Sequence, residues 1–169
     1  MGIKKYIDCN YTQSSSHSLE DNEDIAAANI VSSGHKQWIP GGGKCIHWNL
    51  QQKLTWYDAN DYCRAHDAEL LSWRSEGEYL SFKFFWQEVA IAYEEDIKSW
   101  TGGIKQWWNY DDWTWGNTTN DLVPINYGWS EGKPNGAEGS HECAELYSDG
   151  MLDDKGCDRQ INFICQLND

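Results

Sequence analysis

Two spacings of apolar residues divide the chain. In "TWYDANDYCRAHDAELL", Trp56, Ala59 and Cys63 recur at helical intervals, and Thr55 stands where an N-cap would accept the first amide hydrogens. That stretch predicts a helix. A second helix begins at Ser75, where Ser75 and Glu78 form a capping box. Its Phe82, Phe85, Trp86, Val89, Ala90 and Tyr93 follow the i, i+3, i+4, i+7 rule, which marks a core face rather than a ligand box. After Trp100 the helical period ends. "KSWTGG", "WNYDDWTWG", "INYGWSEGKPNG", "HECAELY" and "NFICQ" read as short strands joined by long loops. Upstream, "KCIHWNLQQKLTW" reads as a strand and turn. The two halves together give an α+β domain, and no internal repeat is present.

The N-terminal part has a different texture. "SSSHSLEDNED" followed by "IAAANIVSSG" is polar and acidic, a tail or a short helix rather than a domain. The loop "PGGGK" (Pro40 to Lys44) breaks the chain before the aromatic-rich body. The division is therefore a tail over residues 1–36 and one domain over residues 37–169, with 169 residues ample for a core of ordinary size.

Charge and cysteines narrow the class. A formal net charge of −14 excludes nucleic acid as the expected partner, because phosphate backbones reward Lys/Arg surfaces. Six cysteines form no CxxC pair, so zinc-ligand spacing is absent, and three disulfides made in an oxidising compartment are the better reading. Two glycosylation sequons, at Asn10 and Asn117, agree with a secreted, extracellular protein. The start "MGIKKYIDCNYTQ" has no apolar core of a signal peptide, and no stretch approaches a membrane span. Eleven Trp and nine Tyr against four Phe supply many rings with a polar tip, which build cores and also stack on sugars. No Gly-x-Ser-x-Gly, His-Glu-x-x-His or phosphate-loop motif occurs, so the chain does not read as an enzyme.

"LTWYDANDYC", "ELLSWRSEGEYLSF", "SWTGG", "WTWG", "YGWSEGKPNG", "HECAEL", "LDDKGC" and "NFIC" stand in the order expected of a C-type lectin domain. The likeness runs from about Trp38 to Gln166. Each fragment is weak alone, and the ordered set with its cysteines in register is specific. The resemblance implies a double-looped fold of two helices, small antiparallel sheets and a long loop region stapled by disulfides. It pairs Cys63 with Cys165 and Cys143 with Cys157, and makes Trp100 and Trp129 structural. Cys45 resembles one member of the extra N-terminal pair of long-form domains, whose partner ordinarily lies a short way upstream. Here the only candidate is the more distant Cys9. A Cys9–Cys45 bridge ties the tail to the body and is favoured; the alternative links two chains into a homo-oligomer.

Sugar-binding members of that family hold two sugar hydroxyls on a calcium ion, which needs six to eight hard oxygen ligands. The resemblance places the carbohydrate-binding and metal-ligating positions on the loop from Lys133 to Asp154. Asn135 matches the third residue of the family's Glu-Pro-Asn triplet. Asp153 and Asp154 match its Asn-Asp pair, and Leu152 stands where Trp is usual. Lys133 replaces the first ligand with a side chain that has three donors and no acceptor. His141 stands where a later Glu is expected, a poor ligand for a hard cation, and Glu142 beside it compensates only if the loop shifts by one. Two expected ligands of five are wrong in type, which argues against calcium as cofactor. The Lys133 ammonium could take the ion's place by pairing with Asp153 or Asp154; or Lys133 could point into water beside solvated acids. Glu138, Glu142 and Glu145 could form a displaced cation site, and Trp107, Trp108, Tyr110 and Trp113 could offer a ring to a sugar face. The expected function is carbohydrate recognition, with glycans or glycoproteins as partners. The alternative is a non-sugar module of the same fold for a protein partner or a mineral or ice surface.

Overall fold

The computed structural model describes Cys9 and residues 38–93, 96–106, 112–116, 123–136 and 142–167. The chain enters through β1 (Ile39–Gly41) and doubles back into β2 (Lys44–Leu54). "PGGGK" is thus a tight hairpin rather than a linker, its Gly42 and Gly43 at φ of 58° and 80°, the sign a two-residue turn demands. Thr55 Oγ1 accepts the Asp58 amide and caps α1 (Trp56–Arg64). That helix stops earlier than its apolar spacing predicts, because Asp67 turns left-handed at φ 54° and releases Ala68–Leu70 as strand β3.

The capping box at Ser75 forms in modified guise. Ser75 Oγ accepts the Glu78 amide, while the Glu78 carboxylate turns to the Arg74 amide and to Lys44. Helix α2 (Glu76–Tyr93) then buries Tyr79, Phe82, Trp86, Val89 and Ala90. Strands β4 (Lys98–Lys105), β5 (Trp113–Trp115), β6 (Glu142–Tyr147), β7 (Leu152–Gly156) and β8 (Ile161–Leu167) complete one sheet of order β1-β2-β8-β4-β6-β7, with β3 on β8 and β5 on β4. Strand β4 runs parallel to β8, and the other pairings are antiparallel.

The sheet carries two apolar clusters. One packs α2 against Ile46, Trp48, Leu146, Leu152 and Ile164, and each large side chain so buried contributes about 1.5–3 kcal/mol. The other holds α1 through Trp56, Trp100 and Phe163 around two disulfides. Trp100 is fully buried and its indole N–H donates to the Leu54 and Arg159 carbonyls, the structural part the sequence assigned to it. Disulfides join Cys63 to Cys165, Cys143 to Cys157 and Cys9 to Cys45, all within one chain. The Cys63–Cys165 bond closes 102 residues, a loop worth about 4–5 kcal/mol of chain entropy in the unfolded state. Among the described residues no helix is long and apolar enough to cross a membrane.

Candidate functional site

The expected site lies at the edge of the sheet, on β7. "LDDKG" is a strand, so its consecutive side chains face opposite sides. Asp153 shares a face with its cross-strand neighbour Glu145, and Asp154 shares the other with Ala144. A single ammonium cannot serve both acids. The long loop resolves this by wrapping the strand's outer edge. The Ser130 amide donates to the Leu152 carbonyl at 2.9 Å, and the Leu152 amide to the Gly128 carbonyl at 2.6 Å. The loop then turns, with the Lys133 amide on the Ser130 carbonyl, and passes through a cis Lys133–Pro134 peptide bond.

From that turn each aspartate receives its own partners. Lys133 Nζ lies 2.7 Å from Asp153 Oδ1, a close ion pair rather than an aligned hydrogen bond. Lys155 Nζ lies 3.1 Å from Oδ2, and the Tyr147 hydroxyl donates to the same oxygen at 3.2 Å. Burial alone would raise the Asp153 carboxyl, but the two ammonium groups outweigh it and hold the acid below its ordinary 3.8. On the other face, Asp154 Oδ1 accepts the Asn135 amide at 3.0 Å and Oδ2 the Gly136 amide at 2.7 Å. The Pro-Asn backbone is therefore fastened to the sheet by peptide donors.

The neighbouring acids are also engaged. Glu142 is fully buried and pairs with Lys105 Nζ at 2.9 Å across β4 and β6. Glu145, equally buried, pairs through Oε2 with Arg159 Nη1 at 3.0 Å. Burial raises its carboxyl pKa, the Asp153 charge adds to the rise, and Arg159, Lys98 and Lys155 oppose it. Tyr147 is raised for the same first reason, burial, with Glu145 and Asp153 adding.

These contacts decide whether a calcium ion fits. The ion needs carboxylate and carbonyl oxygens converging at about 2.3–2.6 Å. Both oxygens of Asp154 face peptide N–H groups, those of Asp153 face two ammoniums and a phenol, and Glu142 is committed to Lys105. Among the described residues, the donor set suits cations already built into the chain and does not suit a bound metal. No group of three or more His, Cys, Asp or Glu side chains is placed to hold a metal ion among the described residues.

The sequence-predicted residues are thus partly gathered. Lys133, Asn135, Asp153 and Asp154 meet at the β7 edge, whereas Glu142 and Glu145 lie along β6 with separate cations, so they do not form a shared cation site with each other. Trp113 is buried against Trp129, ring centroids 4.8 Å apart, and offers no face to a sugar. His141, Glu138, Trp107, Trp108, Tyr110, Asn10 and Asn117 lie outside the described residues. Lys155, Tyr147, Lys105 and Arg159 escaped the sequence reading. Reading "ECAELY" and "LDDKG" as paired strands with period two would have put Glu145, Tyr147, Asp153 and Lys155 on one face.

Known proteins share this architecture. Residues 52–167 match the Lectin C-type domain. Rat asialoglycoprotein receptor 2 is 28% identical over 137 residues, which cover 76% of this chain and 40% of that protein. Human C-type lectin domain family 4 member K is 28% identical over 141 residues, 81% of this chain and 39% of that one. The chain thus spans about 40% of the length of these relatives. Among solved structures, the carbohydrate-recognition domain of mouse scavenger receptor C-type lectin superposes with a TM-score of 0.57 at 27% identity, over 73% of this chain and 87% of that one. A calcium-independent type II antifreeze protein superposes at 0.56 and 24% identity, over 76% and 89%, and shares the fold. With most of the described body matched, the chain belongs to the C-type lectin domain family.

Proposed function

We propose that this chain is an extracellular glycan-recognition module whose long-loop site works without calcium. The observation that carries the reading is the clamping of Asp153 by Lys133 and Lys155, where sugar-binding relatives are expected to hold the ion. A loop tied to β7 by ion pairs and peptide donors is organised before any ligand arrives, which lowers the ordering cost of binding. Relatives named as an asialoglycoprotein receptor and a carbohydrate-recognition domain support a glycan as the ligand class. Three disulfides fit the oxidising compartment in which such a module would act. Residues 37–169 would form this module and residues 1–36 a tail. The test is a glycan array probed in millimolar calcium and again in chelator. Equal, selective binding in both is expected. Binding that vanishes in chelator, or no binding by folded protein in either, would overturn the proposal.

One observation favours a second reading, a protein partner. Helix α2 presents Leu80, Phe84 and Ile91 to solvent, with Phe84 64% and Ile91 77% exposed. Apolar groups aligned on one helix face suit a partner's apolar side chains. Phe84→Ser with Ile91→Ser would abolish such an interaction and leave glycan binding intact.

A further inference from the structure

The turn between β6 and β7 is held by one stripe of α2. Trp86 Nε1 donates to the Tyr147 carbonyl at 2.9 Å, Gln87 Nε2 to the Asp149 carbonyl at 3.0 Å, and the Tyr79 hydroxyl to the Gly150 carbonyl at 3.2 Å. Lys83 lies on the same helix face by its spacing from Tyr79, Trp86 and Gln87, yet it takes no carbonyl. Its ammonium meets the Met151 sulfur at 3.2 Å and the Tyr79 ring at 5.8 Å, and among the described residues no carboxylate pairs with it. Gly150, at φ 78°, admits the lysine stem, because a Cβ there would stand 2.7 Å from Lys83 Cγ.

A thioether is a weak acceptor, so an ammonium resting on one is poorly matched. The Tyr79 hydroxyl also lies 3.1 Å from the sulfur, but it carries one hydrogen, and the Gly150 carbonyl is the stronger acceptor. Burial, with the Asp149 charge adding, lifts the Tyr79 pKa to about 12, so the hydroxyl stays a donor through the neutral range. Two donors, one of them cationic, thus meet at a sulfur that satisfies neither. Met151 itself is half-buried rather than sealed in the core.

We infer that Met151 is a site of reversible oxidation, with Lys83 and Tyr79 as the receptacle for the sulfoxide oxygen. A sulfur lone pair attacks hydrogen peroxide: the S–O bond forms, the O–O bond breaks, and the second oxygen leaves as water with both hydrogens. The sulfur is oxidised and the peroxide reduced. The new oxygen carries partial negative charge and accepts from the Lys83 ammonium far better than the thioether does. Methionine oxidation disrupts a core when it sets a polar oxygen among apolar groups. Here the oxygen meets donors already in place. Met151 directly precedes Leu152, whose amide holds the Gly128 carbonyl, so the modified residue adjoins an anchor of the long loop. The inference stands apart from the ligand that the loop binds.

The test treats the full chain with hydrogen peroxide and follows peptide masses and melting temperature. Met1 and Met151 are its two methionines, so their peptides are read separately. Met151 should oxidise in the folded protein at no less than about a tenth of its rate in urea. The oxidised protein should melt within about 2 degrees of the parent. In Lys83→Leu the same oxidation should lower melting by at least about 5 degrees from that variant's unoxidised form, the scale of a lost charge-assisted hydrogen bond. Lys83→Gln, which keeps the stem, should shift in the same direction, and Lys83→Arg should restore tolerance. Adding Met151→Leu to any of these should remove the shift. Slower oxidation in the folded protein, an equal shift with and without Lys83, or a shift that persists in Met151→Leu would overturn the site.

Discussion

Lys133 Nζ sits 2.7 Å from Asp153 Oδ1 across the outer edge of the sheet, joining the long loop to strand β7. Asp153 also holds Lys155 and accepts the Tyr147 hydroxyl, so the pair belongs to a network rather than a lone bridge. Lys133→Met should therefore cost only about 1–2 kcal/mol in denaturant unfolding, less than breaking an isolated buried pair. A loss above about 4 kcal/mol would mean that Lys155 and Tyr147 do not share the charge of Asp153.

Glu142 and Lys105 behave differently because Glu142 is fully buried where it meets the Lys105 ammonium, between β4 and β6. Lys105→Met should remove the ammonium from the buried Glu142 carboxylate and cost about 3–5 kcal/mol. Adding Glu142→Leu should recover most of that loss. A double variant no more stable than the single would show that the pair was not the source of the cost.

The two acids on the Asp153 face should give opposite limbs to stability against pH. The raised Glu145 contributes stability that is fully present below its ordinary 4.5 and lost as pH rises through its folded value. The depressed Asp153 contributes stability present above 3.8 and lost as pH falls through its folded value. From neutrality downward, stability should first rise and then fall. Melting curves of Glu145→Gln should lack the rise, and those of Asp153→Asn should show a smaller fall. Variants with unchanged profiles would remove these acids from the account.

Helix α2 offers a contrast between two aromatic rings two residues apart. Trp86 is fully buried and donates its indole N–H to the Tyr147 carbonyl, so Trp86→Ala should cost about 3–5 kcal/mol. Phe84 faces solvent, and Phe84→Ser should stay within about 0.5 kcal/mol. Chemical denaturation of the two variants checks the assignment of faces.

The helices and their buried stripe were legible because periodicity and caps are local signals, as Thr55 and Ser75 show. The loop motif was legible through the order of its fragments. Residue spacing leaves the partner of Lys133 open between Asp153, Asp154 and water, because nothing local in "LDDKG" marks it as a strand. Once β7 is a strand, alternation sends the two acids to opposite faces, and the loop's path around the edge assigns Lys133 to one and the Asn135 and Gly136 amides to the other. Lys105 and Arg159 lie 37 and 14 residues from their acids, and their pairing depends on strand register, which residue spacing alone does not carry. Asp67 ended a helix through a left-handed turn that apolar spacing gives no sign of.

The central claim is that cations of the chain itself hold the long-loop acids in place of a metal. Calorimetric titration of calcium into chelator-stripped protein, with the melting temperature read at each end of the titration, tests it most directly. The account predicts no saturable heat up to several millimolar calcium and a melting temperature unchanged within about one degree. A saturable site of millimolar affinity or tighter, abolished by Asp153→Ala, would contradict it.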